Sequence, residues 1–362
     1  MSTGGTIAGN VASDTKTIDG VRGSEEFAEI IRATVSSIEK RWGVKPVFTA
    51  REITNVDSSN ITPDVWMKLA TTVKEEYDNY DSFIITHGTN TLGYTCSALS
   101  FALPNLDKPV VLTGSQVPQG EPGTDALTNL NNAVRVAVRP YAPKVKGVVA
   151  VFGSHIISGT RVKKDTEFDY DAFKSFGMAS LGRIGRIINI DPGNLNRHLS
   201  YLGGSPGSRY APAISSRSLI CEARFDMRIV SLTEFPGMDP NIILTLAKSN
   251  DVQGFILRSF GAGDPSDGMR KAFEYLKDRE IPIVVTTQAP NGNSNFQVNE
   301  PGRYLRENKL AIPAYDMSIE SQTTKLAWLL AKKKDKEIDY KKLCEDMTTD
   351  LHGEVNPIFE IS

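Results

Sequence analysis

The feature that most constrains this chain is the alternation of short apolar runs with helix-period segments. Residues 83–85, 109–112 and 147–152 are apolar almost without interruption, as a strand is when both faces of its sheet are covered. Between and before them the period lengthens. Phe27, Ile30, Ile31, Val35, Ile38 and Trp42 recur at helical spacing, and a second helix opens with Thr62 as N-cap and Pro63 at its first position. That helix presents Val65, Trp66, Leu69, Val73 and Tyr77 on one face, and a third, from Thr124 to about Val138, aligns Leu127, Leu130, Val134 and Ala137. Strands and helices in strict alternation predict an α/β fold with a doubly wound, flavodoxin-like parallel sheet.

The pattern fails between Asn189 and Ser218, where Gly203-Gly204-Ser205-Pro206-Gly207-Ser208 has the composition of a linker. It resumes with strands expected at 228–232, 254–257 and 283–286, and with a helix from Ser318 to about Ala331 that packs Leu326, Leu329 and Leu330. The reading is therefore a larger N-terminal domain over 1–188, a linker over 189–218, and a smaller Rossmann-like domain over 219–362. A length of 362 residues suits two such domains.

Charge and cysteine usage exclude several classes of function. With 41 basic against 43 acidic residues and a net charge of −2, the chain has no electrostatic footprint for nucleic acid or an anionic membrane. Cys96, Cys221 and Cys344 are odd in number and far apart, and His87, His155, His198 and His352 are scattered, so no metal centre or other cofactor is expected. The cysteine pattern fits a reducing compartment, the cytoplasm. No apolar stretch is long enough to span a membrane, and no signal peptide is recognisable.

Two threonines each close a glycine turn: Thr6 in Thr3-Gly4-Gly5-Thr6-Ile7-Ala8 and Thr89 in Thr86-His87-Gly88-Thr89-Asn90-Thr91. The second follows the apolar run 83–85, which places it at the carboxyl edge of an α/β sheet, where ligands bind. Such a hydroxyl can simply bond its own backbone. As a nucleophile it needs a neighbouring base.

These motifs, with Asp57-Ser58-Ser59, Thr113-Gly114-Ser115, Asp125 before Asn129-Leu130, Lys164 before Phe173-Lys174-Ser175, Leu257-Arg258-Ser259-Phe260-Gly261, Asp316-Met317 and Leu351-His352-Gly353-Glu354, make the chain resemble the bacterial-type L-asparaginases, closest to their cytosolic type. The resemblance implies hydrolysis of asparagine to aspartate and ammonia, with Thr6 and Thr89 as the catalytic hydroxyls and Lys164 as base. It implies substrate binding by Ser58, Ser59, Asn90 and Ser115, and either a structural role or an effector site for Arg258. The partner is then a small amino acid, and the assembly a homodimer or homotetramer. Asp57 to Asn60 equally suit a helix-entry turn, and Asp125 with Asn129 is read as ordering a helix start.

Three departures qualify the resemblance. Asn90 stands where the family has an aspartate, which keeps an acceptor oxygen but loses the charge. The segment 10–23 offers Thr15, Thr17, Ile18 and Asp19 but no tyrosine. Only Met1-Ser2 precedes Thr3, too little for a strand at about 3.3 Å per residue, so a gap is expected beside the strands ending at Thr86 and Thr113. Two other readings of function remain: a catalytically silent homologue that binds a small amino acid, and the amidase subunit of a tRNA-dependent amidotransferase.

Overall fold

The three apolar runs of the first half form neighbouring strands of one sheet, because each is bounded by turns and lined on both faces by helices. The computed structural model describes residues 1–5, 34–201, 218–249 and 251–356, together with the backbone of 10–11 and 18–19. It divides into two compact units, Met1–Ser175 with Ala179–Ala223 and Phe176–Met178 with Arg224–Ser362.

In the first unit, β1 (Asn10–Val11) pairs antiparallel with β2 (Ile18–Asp19). There follow α1 (34–42), α2 (Pro63–Glu75), β3 (Phe83–Thr86), α3 (Leu92–Ala102), β4 (Pro109–Thr113), α4 (Ala126–Ala137) and β5 (Gly147–Phe152). Next come β6 (His155–Ser158), β7 (Val162–Lys164), β8 (Phe173–Ser175), β9 (Gly182–Ile184), β10 (Ile188–Ile190) and α5 (Pro192–Tyr201). The main sheet has the order β10-β9-β6-β5-β4-β3. Its core joins Val111, Val149 and Val151 to Ala133 and Val136 of α4.

This sheet is α/β as expected but mixed rather than wholly parallel. β3, β4 and β5 run parallel, whereas β6, β9 and β10 each pair antiparallel with their neighbour. Phe152 pairs with His155 across a two-residue turn, too short for the crossover that a parallel partner requires. Two further expectations are corrected. Leu127 is 43% exposed, and α4 buries Ala126, Leu130, Ala133, Val134 and Ala137 instead. Residues 189–201, read as the start of a linker, include the end of β10 and the whole of α5. The apolar pattern there is too brief to show: β10 is three residues long, and α5 buries only His198 among its own side chains. The Gly203–Ser208 run, and Phe27, Ile30 and Ile31, lie outside the described residues.

At the β3 edge the first three residues act as a short strand. Ser2 bridges Thr86 on one side and Glu52 on the other, both in parallel sense. Thr86 N–H donates to the Met1 carbonyl at 3.0 Å, Thr3 N–H to the Thr86 carbonyl at 3.1 Å, and Ile53 N–H to the Ser2 carbonyl at 2.8 Å. Beyond Met1 the space between the two walls is a cavity of about 890 Å3, lined by Val44, Phe48, Phe83, Ile84, Leu130 and Val134 among others. The Met1 ammonium donates to the Ile84 carbonyl at its edge, 2.7 Å away. Among the described residues, this cavity lies beside β3, where the sequence predicts a gap. β4, by contrast, is covered on both sides and wholly buried, because the sheet order sets it between β3 and β5.

The second unit contains β11 (Ile229–Thr233), α6 (Asn241–Lys248), β12 (Gly254–Ser259), α7 (Arg270–Asp278), β13 (Ile283–Thr287), α8 (Glu300–Glu307), β14 (Ile312–Pro313), α9 (Ile319–Lys334) and α10 (Tyr340–Thr348). Its four-stranded sheet is parallel throughout, in sequence order. Phe255, Leu257 and Val285 pack on Phe273 and Leu276 of α7. Ser318 caps α9 by accepting from Ser321 N–H, as the sequence suggested for that helix start. Deep in this unit Lys325 and Glu354, both fully buried, pair at 2.5 Å.

Candidate active site

Three separated segments of the first unit meet beyond the carboxyl end of β3. β3 ends at Thr86, and the turn through Gly88 delivers Thr89 just before α3 begins at Leu92. Gly88 permits this because a β-carbon there would lie 2.7 Å from Ser58 Cβ and 2.6 Å from its Oγ. Ser58 therefore rests directly on the turn. Its own loop is held as a one-turn helix by Asp57, which accepts from Ser59 N–H at 2.7 Å. The helix-entry reading and proximity to Thr89 are both true of this segment.

Lys164 arrives from the end of β7. Its partner in register is Phe173 of β8, and the Phe173 ring packs on Phe152 with centroids 4.8 Å apart, which anchors the two-stranded β7–β8 pair against the end of β5. Lys164 Nζ donates to Thr89 Oγ1 at 2.9 Å and to Asn90 Oδ1 at 3.2 Å. Asn90 Nδ2 donates to Ser59 Oγ at 3.0 Å, Asn90 N–H to Ser58 Oγ at 3.2 Å, and Thr91 Oγ1–H to the Ser58 carbonyl at 2.7 Å. Thr89, Asn90, Lys164, Ser58 and Ser59 thus form one hydrogen-bonded cluster. Burial lowers the Lys164 pKa from its ordinary value, and the Glu167 carboxylate partly opposes that shift. An amine so placed can exchange a proton with Thr89.

Ser115 and Arg258 are two further sequence-derived candidates. Ser115 is fully buried and its Oγ has no hydrogen-bond partner among the described residues. Arg258 belongs to β12 of the second unit, with Nε buried and unpartnered among the described residues. Thr6 lies outside the described residues. The residue before it, Gly5, has φ +81° and touches the turn, since a β-carbon on it would come within 2.4 Å of Gly88 Cα.

Sequence reasoning understated one pair and missed another group. Asp125 accepts from Gln116 N–H at 3.0 Å and Val117 N–H at 3.0 Å, while Asn129 donates to the Gly114 carbonyl at 2.9 Å and accepts from Gly153 N–H at 2.9 Å. Beyond ordering a helix start, they clamp the loops that follow β4 and β5. The pairing of an acid and an amide at i and i+4 was the available signal. His87 was passed over among scattered histidines, although its position between a buried strand and a glycine turn marks it. Among the described residues, no group of three or more His, Cys, Asp or Glu is placed to hold a metal ion, and no helix is long and apolar enough to cross a membrane.

Two family models cover most of the chain. Residues 1–194 match the N-terminal asparaginase domain, and residues 228–339 match the glutaminase/asparaginase C-terminal domain. The chain belongs to the asparaginase family. The L-asparaginase of Thermococcus kodakarensis is 33% identical over 339 residues, which is 93% of each chain. A solved structure of the thermostable L-asparaginase from the same organism superposes with a TM-score of 0.80 at 30% identity, covering 98% of both chains. One subunit of the glutamyl-tRNA(Gln) amidotransferase of Saccharolobus solfataricus is 29% identical over 368 residues, covering 99% of this chain and 76% of that protein. The asparaginase family is one of amidohydrolases, and the two-unit α/β architecture described above is shared with its solved members.

Proposed function

We propose that this protein hydrolyses the side-chain amide of L-asparagine, releasing L-aspartate and ammonia. The observation that carries the reading is the 2.9 Å contact between Lys164 Nζ and Thr89 Oγ1. In its neutral form Lys164 accepts the Thr89 hydroxyl proton as Oγ1 attacks the amide carbon. The tetrahedral intermediate collapses when the Lys164 ammonium protonates the departing nitrogen, and ammonia leaves. Water then cleaves the acyl ester, giving aspartate and the free hydroxyl. Thr6 is the second candidate hydroxyl for the same chemistry, and the contact of Gly5 with Gly88 supports its belonging to this site.

Ser58, Ser59 and Asn90 supply hydroxyl and amide groups suited to the carboxylate and ammonium of an amino acid. Ser115, Oγ uncommitted, is a further binding candidate, and Arg258 is kept as a candidate effector residue. A soluble cytoplasmic homodimer or homotetramer is the assembly we expect.

Purified protein should release ammonia from asparagine, and more slowly or not at all from glutamine, with Thr89→Ala inactive. Activity that survives in Thr89→Ala, or no ammonia from either amide, sinks this assignment. A second reading, binding of a small amino acid without turnover, is favoured by one observation: Asn90 Oδ1 is already taken by Lys164. Calorimetric binding of asparagine by protein that yields no ammonia would favour it.

A further inference from the structure

Directly beneath Thr89 lies a buried polar chain that the proton transfers above do not use. His87 is fully buried, with Nδ1 2.7 Å from the Gly88 carbonyl oxygen and Nε2 2.8 Å from Thr95 Oγ1. Trp66 Nε1 lies 3.0 Å from the same Thr95 oxygen. These elements come from three places: the end of β3, the first turns of α3, and the apolar face of α2.

Counting protons leaves one arrangement. A carbonyl only accepts, so His87 Nδ1 carries the hydrogen. Burial lowers the His87 pKa to about 4, so the ring is neutral at ordinary pH and Nε2 is an acceptor. Thr95 must then donate its hydroxyl proton to Nε2, and its oxygen receives the indole N–H of Trp66. The chain runs in a single direction: Trp66 to Thr95 to His87 to the Gly88 carbonyl.

The Gly88–Thr89 peptide is planar, so with its carbonyl held toward His87, its N–H points the opposite way. Among the described residues the Thr89 N–H has no hydrogen-bond partner. The His87 bond is the hydrogen bond that holds this carbonyl among the described residues, and with it the direction of the Thr89 N–H.

We propose that Trp66, Thr95 and His87 are positioning residues that lock the Gly88–Thr89 peptide, so that Thr89 presents its hydroxyl and an uncommitted N–H together to the substrate carbonyl. The inference rests on the amide-hydrolysis reading and extends it from the reacting side chains to the backbone beneath them. An N–H so aimed stabilises the oxyanion that forms when Thr89 attacks.

The test uses Thr95→Val, which keeps the shape of the side chain and removes the link, and Thr95→Ser, which restores the hydroxyl. Nitrogen-15 NMR of the full-length protein should show the Nδ1–H tautomer of His87 in the wild type and in Thr95→Ser, and in Thr95→Val an Nε2 resonance shifted toward that of an imidazole nitrogen without a hydrogen bond. For asparagine, kcat of Thr95→Val should fall by roughly tenfold or more, since outright loss of one oxyanion donor costs on the order of 10²–10³, with KM within about twofold and a melt that remains cooperative. Thr95→Ser should recover kcat. An Nε2–H tautomer in the wild type, or an active enzyme whose Thr95→Val variant keeps its kcat, overturns the positioning role alone. A wild type that releases no ammonia while showing the Nδ1–H tautomer overturns the hydrolysis reading on which the proposal rests.

Discussion

Lys164 Nζ lies 2.9 Å from Thr89 Oγ1, and the oxygen that shares it, 3.2 Å away, is the neutral amide oxygen of Asn90. A carboxylate in that place would favour the ammonium form. With an amide there, burial dominates and the lysine gives up its proton more readily.

The pH dependence of kcat/KM should follow from this. On the proposed mechanism the base is the neutral amine, so activity should climb as pH rises through a Lys164 pKa that lies below the ordinary 10.5. Glu167 holds that pKa up, so Glu167→Gln should move the rising limb to lower pH. A limb that stays in place or moves up would remove Lys164 from the role of base.

Asn90→Asp should raise kcat/KM for asparagine roughly twofold to thirtyfold at the pH optimum, because a hydrogen bond to a charged group contributes about 1.5 to 3 kcal/mol against about 1 for a neutral one, a difference of about 0.5 to 2 kcal/mol. The same substitution places an anion beside Lys164 and should shift the rising limb to higher pH. Measuring the full pH profile separates the two effects. An unchanged or lower kcat/KM at every pH would mean that the pocket is built for another ligand.

Lys325 and Glu354 offer a test in the second unit. Burial alone would raise the Glu354 pKa, but Lys325, His352 and the backbone bonds hold it below the usual carboxylate range. Its stabilising contribution is present above the unfolded pKa and is lost as pH falls through the folded one. Glu354→Gln should destabilise by about 3–5 kcal/mol because it strands a buried ammonium, and adding Lys325→Met should recover part of the loss. Additive losses in the double variant would show that the two side chains are not coupled.

Much of this was legible in the sequence wherever burial wrote a pattern. The runs at 83–85, 109–112 and 147–152 became adjacent parallel strands because full burial leaves no polar position in them. Short edge elements left no such mark, and β9 and β10, three residues each, passed unseen. In the site, the spacing of motifs was readable, but the contact of Lys164 with Thr89 spans 75 residues and depends on the Phe152–Phe173 packing that no local pattern reveals. His87 carried no periodic signal either. Its role appears only when the hydrogen bonds on both ring nitrogens are seen together.

The β7–β8 pair has a last consequence. It holds three residues against three, joined by a loop in which Phe168 is 87% exposed. On the proposed mechanism, nucleophile and base therefore sit on different parts of the fold: Thr89 at the rim of a buried sheet, Lys164 on a short hairpin held chiefly by the Phe152–Phe173 contact. A local opening of that hairpin would part the two groups and silence the proposed chemistry while the sheet stays whole.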